Sequence, residues 1–354
     1  MYYYRPKSDL RACDTPLKQF VGIDIAKASF TACVCIYTYG DMAFFSDVAS
    51  FKNTKTGFNQ LMKWTRKEAL KTLPVGFLME STGVYYEELA AYLKRLEQHV
   101  FVVLPNKARS FTEYQYIRSK NDAMDSRVLA LMGCMDRKLK EWEQPDPFYA
   151  ELRAMTRFDS QALDIRAVIT NHLEALSSSN QPNSSVVRQY KLLLDSLNRR
   201  IEDNQNKEVE LVCSRPEVKE KIDKLLTIKG FGFATIVRIL AETSGFKDFA
   251  NAKQLTSYVG FDVVENQSGP IAHKTKISKR GNAYIRAALY YPALSASRYN
   301  PHLREQYQRI LEKHPSEKKI GIVALERKML LLMYSMWKSG DLYDPNKYAD
   351  KTAK

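Results

Sequence analysis

Asp24, Glu80, Asp122 and Asp125 are the residues of this chain whose type and spacing point first to chemistry. Asp24 and Glu80 close the apolar runs FVGID and VGFLME, and Asp122 and Asp125 lie three apart in KNDAMDSRVLALMG. Two strand ends and a helical i, i+3 pair can share one pocket. Two carboxylates about 4 Å apart repel by roughly 4 kcal/mol at an effective dielectric of about 20, so four together call for a cation. Hard oxygen donors of this kind suit Mg²⁺ or Mn²⁺, and a pair of such ions can activate an attacking oxygen and stabilise a leaving one in phosphoryl transfer. Each acid alone has a plainer reading. A strand-end aspartate is more often structural, Glu80 a surface residue followed by helix-capping Ser81 or Thr82, and the Asp122 and Asp125 pair a complement to a helix dipole.

A second candidate lies far downstream. Ser268 sits beside Gly269 in ENQSGP, read as a flexible loop, just before the cations of KTKISKRGNAYIR. A serine hydroxyl attacks phosphorus only when its proton is removed and the developing charge is offset, and Lys276, Lys279, Arg280 and Arg286 are placed to do the second. The alternative is ordinary Ser-Gly turn chemistry, with Ser278 capping the helix that follows.

The elements that must position these groups change character along the chain. From 20 to 136 strand-like and helix-like runs alternate: a hairpin over FVGIDIAKASFTACVCIY, a third strand over DMAFFSDVAS, an amphipathic helix over FNQLMKWTRKEAL, and short buried strands VGFLMES and VFVVLP flanking the helix YYEELAAYLKRLEQ. This order implies a mixed sheet covered by helices. From 149 to about 212 strand signals vanish, and two long polar helical runs flank the loop SSSNQPNSS. They read as a coiled-coil arm or dimerisation element, or equally as a plain helical hairpin packed on the first domain. In the third region IDKLLTIKGFGFATIVRILAET has helical spacing on both sides of KGFG. With Lys229, Gly230 and Gly232 this is the pattern of a helix-hairpin-helix, which holds a DNA phosphate on exposed amides, and a plain helical turn is the alternative. The domains expected are therefore 1–148, 149–216 and 217–344, with a tail over 345–354, and the class is α/β plus α.

Composition narrows the partners. The 354 residues carry 54 Lys and Arg against 40 Asp and Glu, a formal charge of +14. That favours a polyanion, nucleic acid first and an acidic membrane surface second. From Asn266 to Arg304 there is no acidic residue, while Lys274, Lys276, Lys279, Arg280, Arg286, Arg298 and Arg304 alternate with Tyr284, Tyr290, Tyr291 and Tyr299. A phosphate-facing surface is the better reading of so long a one-signed stretch. No apolar run approaches the roughly 20 residues that span a bilayer, and MYYYRPKSDLRACD lacks the core of a secretion signal, so a cytoplasmic protein is expected. Five scattered cysteines without a CxxC pair read as reduced packing residues, and a zinc site is not expected.

Taken in order, GIDIAKASF, MESTGVYYEELA, LPNKARSF, RSKNDAMDSRVLA, IKGFGFATIVRILAE, YVGF, ENQSG and KISKRGNAYIRAAL resemble the DEDD insertion-sequence transposases of the "IS one-ten" family, relatives of the Piv DNA invertase. The resemblance runs from about Phe20 to about Asp344. It implies a RuvC-like, ribonuclease-H-like first domain with Asp24, Glu80, Asp122 and Asp125 as metal ligands, and Ser268 as the nucleophile. It further implies a recombinase that works on donor and target DNA under a structured bridge RNA, as a dimer or tetramer with active sites shared between subunits. The chain departs from the family pattern at Ser126, where an alanine is usual, and at Gln267, where some relatives carry a second serine. A Holliday-junction resolvase or a DNA invertase without guide RNA is the alternative, and a non-catalytic packaging protein is a third. No GxxxxGK[ST] phosphate loop is present, in keeping with strand exchange that conserves bond energy.

Overall fold

The computed structural model describes residues 5–81, 83–115, 122–264, 267–268, 271–272 and 276–344. The chain divides into two compact units, Met1–Gln144 and Pro145–Lys354.

The first unit runs β1 (Arg5–Pro6), β2 (Pro16–Ile25), β3 (Ser29–Thr38), β4 (Ala43–Phe45), β5 (Ala49–Lys52), α1 (Lys55–Glu68), β6 (Val75–Glu80), α2 (Glu87–Arg95), β7 (His99–Val103), α3 (Pro105–Tyr114) and α4 (Asp122–Met135). Its sheet has the order β1-β4-β3-β2-β6-β7, with β5 also on β3. β2 and β3 are antiparallel, whereas β2, β6 and β7 run parallel. Strands buried on both sides separate their side chains by parity. Val21, Ile23, Ile25, Phe77 and Met79 pack with Phe58 and Leu61 of α1 and Leu89 and Leu93 of α2. Phe20, Cys33, Cys35 and Leu78 pack on the opposite face with Leu129, Ala130 and Met132 of α4. Burial pushes the Cys33 thiol up to about 11, so it stays a neutral packing group.

The third strand expected over DMAFFSDVAS is instead two, both paired with β3. Between them the Ser46 hydroxyl accepts from the Val34 amide at 3.0 Å, so a side chain takes the place of a ladder bond and the strand breaks there. The cap expected from Ser81 is also absent: α2 begins at Glu87, and the Ser81 hydroxyl donates to the Val103 carbonyl at 3.2 Å. Thr82 lies outside the described residues.

The second unit opens with two long helices, α5 (Pro147–Ser177) and α6 (Ser184–Cys213), capped by Asp146 and Asn183. Contacts between them descend in register, Asn204 to Met155, Asn198 to Arg166 and Tyr190 to His172, so the pair is an antiparallel hairpin. Their exposed apolar residues include Ile165, Val168, Leu192 and Leu193, each more than half accessible. At the inner end Asp159 and Glu208 are buried together beside Arg238, and burial followed by the Asp159 charge pushes Glu208 up to about 7.

There follow α7 (Pro216–Leu226), α8 (Phe233–Thr243), α9 (Ala252–Val259), the two-residue strands β8 (Val263–Val264), β9 (Gln267–Ser268), β10 (Ile271–Ala272) and β11 (Lys276–Ile277), then α10 (Ala283–Tyr299), α11 (Pro301–Lys313) and α12 (Lys318–Ser339). Their core joins Ile222, Leu225, Ile236, Leu240, Leu289 and Met333. Among the described residues no helix is long and apolar enough to cross a membrane.

Candidate active site

Parity places the first two acids. Since Phe20 and Leu78 face α4 while Ile23 and Met79 face away, Asp24 and Glu80 belong to the α4 side of the sheet. They end adjacent parallel strands, one step past the paired residues Ile23 and Met79. Neighbouring strands lie about 4.8 Å apart, so the two main-chain positions are neighbours.

Gly22 lets α4 reach this edge. A Cβ there would lie 2.1 Å from both the Ser126 carbonyl oxygen and the Ala130 nitrogen, so only a glycine admits the helix backbone directly onto β2. Thr31, the cross-strand partner of Asp24, donates its hydroxyl to the Asp122 carbonyl at 3.0 Å. The first turn of α4, which contains Asp122 and Asp125, is thereby tied beside the end of β2. Asp122 is exposed, and Asp24, Glu80 and Asp125 are half-buried.

Four carboxylates are the donor set that Mg²⁺ or Mn²⁺ prefers, and the backbone brings them to one end of the sheet. Their side chains do not close on one point: among the described residues no three acidic, histidine or cysteine side chains gather closely enough to hold an ion. The residues thus fit a divalent cation in type and main-chain placement.

Ser268 lies on a β-hairpin where a loop was expected. It ends β9 opposite Ile271 of β10, and β8 pairs with β11 below, with Val264 opposite Lys276 and Val263 opposite Ile277. Only the main chain of Ser268 is described. Lys274 lies outside the described residues. Lys276, Lys279 and Arg280 are exposed, whereas Arg286 is half-buried and donates to the Val259 carbonyl at 2.6 Å. Ser278 does not cap α10: its hydroxyl donates to Asp262 at 2.6 Å, and Asn282 accepts from the Ile285 amide as the cap. Asn282 wins the position because it immediately precedes the helix.

Between α7 and α8 the chain turns through Lys229, which is exposed, and Gly230, whose φ of +112° and contact with Ala296 leave no room for a side chain. Gly232 is the N-cap of α8 with no side-chain bond, and a Cβ there would meet nothing.

Glu242 was not singled out from the sequence. It is buried in α8, where its carboxylate accepts from Arg157 Nε at 2.7 Å and Nη2 at 3.0 Å and from Asn282 Nδ2 at 2.6 Å. The Tyr258 hydroxyl donates to its carbonyl at 3.1 Å. The available signal was a lone acid closing the apolar run IVRILAE, which must be paired if the helix is buried.

Comparison with known proteins finds matches in both units. Residues 21–178 match the transposase family of DEDD, IS110 type, and residues 222–308 match the Transposase IS116/IS110/IS902 family. The pilin gene-inverting protein of Moraxella bovis is 27% identical over 334 residues, covering 92% of this chain and 98% of that protein. The pilin gene-inverting protein of Moraxella lacunata is similar to the same extent, 27% over 334 residues. The chain is thus similar to the IS110-type DEDD transposases in two successive stretches, and it is an enzyme of DNA recombination.

Proposed function

We propose that the chain cuts and rejoins DNA strands by transesterification through Ser268. The observation that carries this reading is the convergence of two parallel strand ends and the first turn of α4 at one edge of a sheet that we read as RuvC-like, in a chain that also matches the transposase family around Ser268. Asp24, Glu80, Asp122 and Asp125 would hold Mg²⁺ or Mn²⁺, which when bound withdraws charge from the scissile phosphate. The Ser268 hydroxyl gives up its proton and bonds to phosphorus, and the bridging oxygen of one DNA strand leaves and takes up a proton. A strand hydroxyl then attacks the phosphoserine and releases Ser268, so the number of phosphodiesters is unchanged and no ATP is consumed. Lys276, Lys279 and Arg280 are exposed cations that oppose the charge developing on phosphorus, and the α7–α8 turn acts as a helix-hairpin-helix grip on the backbone.

The same reading includes a structured guide RNA that pairs with donor and target DNA, supported by the +14 charge and the acid-free stretch from Asn266 to Arg304. It includes a dimer or tetramer joined through the α5–α6 hairpin, supported by the exposed Ile165, Val168, Leu192 and Leu193. The test is to trap protein–DNA adducts in cells carrying the coding sequence with its native flanks. Ser268→Ala removes the adduct if the reading holds, and an adduct that survives sinks it. The names of the Moraxella relatives favour DNA inversion as a second outcome of the same chemistry. Whether the product is an inversion or an insertion is then set by where the two recombining sites lie.

A further inference from the structure

We propose that Glu242 is a positioning residue for strand cleavage, fixing through Asn282 and Tyr258 the foot of the hairpin that carries Ser268. This rests on the reading of Ser268 as nucleophile. A buried carboxylate is unfavourable unless fully partnered, and apolar residues fill such space as well or better. The Glu242 carboxylate is partnered by Arg157 of α5 and by Asn282 at the N-cap of α10, and its main-chain carbonyl accepts from the Tyr258 hydroxyl of α9. The Arg157 guanidinium also lies 4.8 Å from the centre of the Tyr284 ring, on the first turn of α10.

Asn282 is where the hub meets the hairpin. Its amide nitrogen is committed to Glu242, its oxygen caps α10, and its main-chain N–H donates to the Tyr258 carbonyl at 2.9 Å. Upstream, the Lys279 amide donates to the Gly260 carbonyl at 3.1 Å and the Ser278 amide to the Asp262 carbonyl at 2.8 Å. Ser278 adds its hydroxyl bond to the Asp262 carboxylate at 2.6 Å. Lys279 is held at φ 53°, a left-handed conformation that a lysine adopts only when its surroundings impose it. The segment 278–282 is thus laced at successive points to 258–262, and β8 and β11, the paired strands next to these two segments in the chain, precede and follow the pair β9 and β10 that carries Ser268. An error in angle at this foot is carried to the tip of the hairpin. A displacement of about 1 Å at a reacting atom lowers rates by as much as roughly a hundredfold.

Asn282→Ser keeps a good cap for α10 and removes the amide's bond to Glu242 together with its longer one of 3.4 Å to the Tyr258 hydroxyl. Glu242→Gln turns an acceptor into a donor that faces Arg157 and Asn282. The paired change E242Q/N282D restores a donor–acceptor match, and the aspartate it introduces still caps the helix. The full chain is expressed with its coding sequence and native flanks, and adduct yield is read beside melting temperature, affinity for a random DNA duplex, and hydrogen exchange over 276–282. We expect N282S and E242Q to lower adduct yield roughly tenfold to a hundredfold with duplex affinity unchanged, to speed exchange in 276–282, and E242Q/N282D to recover much of the yield. Undiminished yield in N282S, or loss of yield only in proportion to lost folding and duplex affinity, overturns the proposal. Adducts persisting in Ser268→Ala overturn the nucleophile assignment instead, and the exchange measurement then still reports on the hub.

Discussion

The hydroxyl of Thr31 reaches the main-chain carbonyl of Asp122 at 3.0 Å and so fastens the first turn of α4 beside the strand end that carries Asp24. Thr31→Val keeps the shape and removes the bond. We expect a stability loss of about 1 kcal/mol in denaturant unfolding, and a fall of roughly tenfold in adduct yield because Asp122 is no longer held in place. Unchanged adduct yield would separate the turn from the reaction.

Gly22→Ala tests the same edge from below. The added methyl would sit 2.1 Å from two backbone atoms of α4, and a helix backbone cannot rotate aside as a side chain can. The expected loss is about 3 kcal/mol, seen as a lowered melting temperature, with cleavage lost as well because α4 is displaced.

Removing one carboxylate should separate ion binding from folding. Asp24→Asn and Asp125→Asn are expected to abolish adduct formation and weaken Mg²⁺ or Mn²⁺ binding in titration calorimetry. In metal-free buffer the folded chain should persist, with a cooperative melt like that of the unaltered chain, because neither residue is part of the buried core. Metal affinity equal to that of the unaltered chain would take these residues out of the ligand set.

The buried pair Glu208 and Asp159 sets a pH dependence of stability. Burial, reinforced by the Asp159 charge, moves Glu208 from 4.5 to about 7, with Arg238 partly offsetting the shift. Between these values the folded chain keeps a proton that the unfolded chain has released. Stability from this site is therefore full below about pH 4.5 and falls as pH rises through about 7, by at most about 3 kcal/mol. Glu208→Gln should flatten that fall in melts run from pH 5 to 8. Glu326, also pushed up to about 7 by burial, leaves a residual slope in the same direction.

The exposed apolar residues of the long hairpin give a prediction about assembly. Charges introduced by Ile165→Glu with Leu192→Glu should lower the oligomeric state in sedimentation velocity, with the melting temperature little changed because neither residue is buried in its own chain. A constant sedimentation coefficient would place the contact elsewhere.

What the sequence made legible follows the reach of each interaction. Asp24 and Glu80 could be read as strand-end neighbours because alternation of apolar residues fixes both face and register, and Asp122 with Asp125 because a helix's first turn is a local property. The loop between α5 and α6 was legible for the same reason. The helix at Pro105–Tyr114 passed unread although proline at its first position is a local signal. The break at Ser46 and the role of Ser278 depend on partners 12 and 16 residues away, Val34 and Asp262, and no local pattern contains them. Glu242 is the extreme case, since its partners Arg157 and Asn282 lie 85 and 40 residues from it.

The helical hairpin has a further consequence. Its own core ends at Ile169 on α5 and resumes at Ile201 on α6, with nothing buried between. At its root the Arg215 guanidinium grips Asp146 through two bonds of 2.6 and 2.8 Å, so the base is clasped independently of the length beyond. Matched seven-residue blocks taken from both helices in this interval would shorten it by about 10 Å while keeping the paired faces in phase. If copies join through this hairpin as proposed, the stretch from 170 to 200 would be a ruler, one that evolution or an engineer can recut to change their spacing without touching either the acids or Ser268.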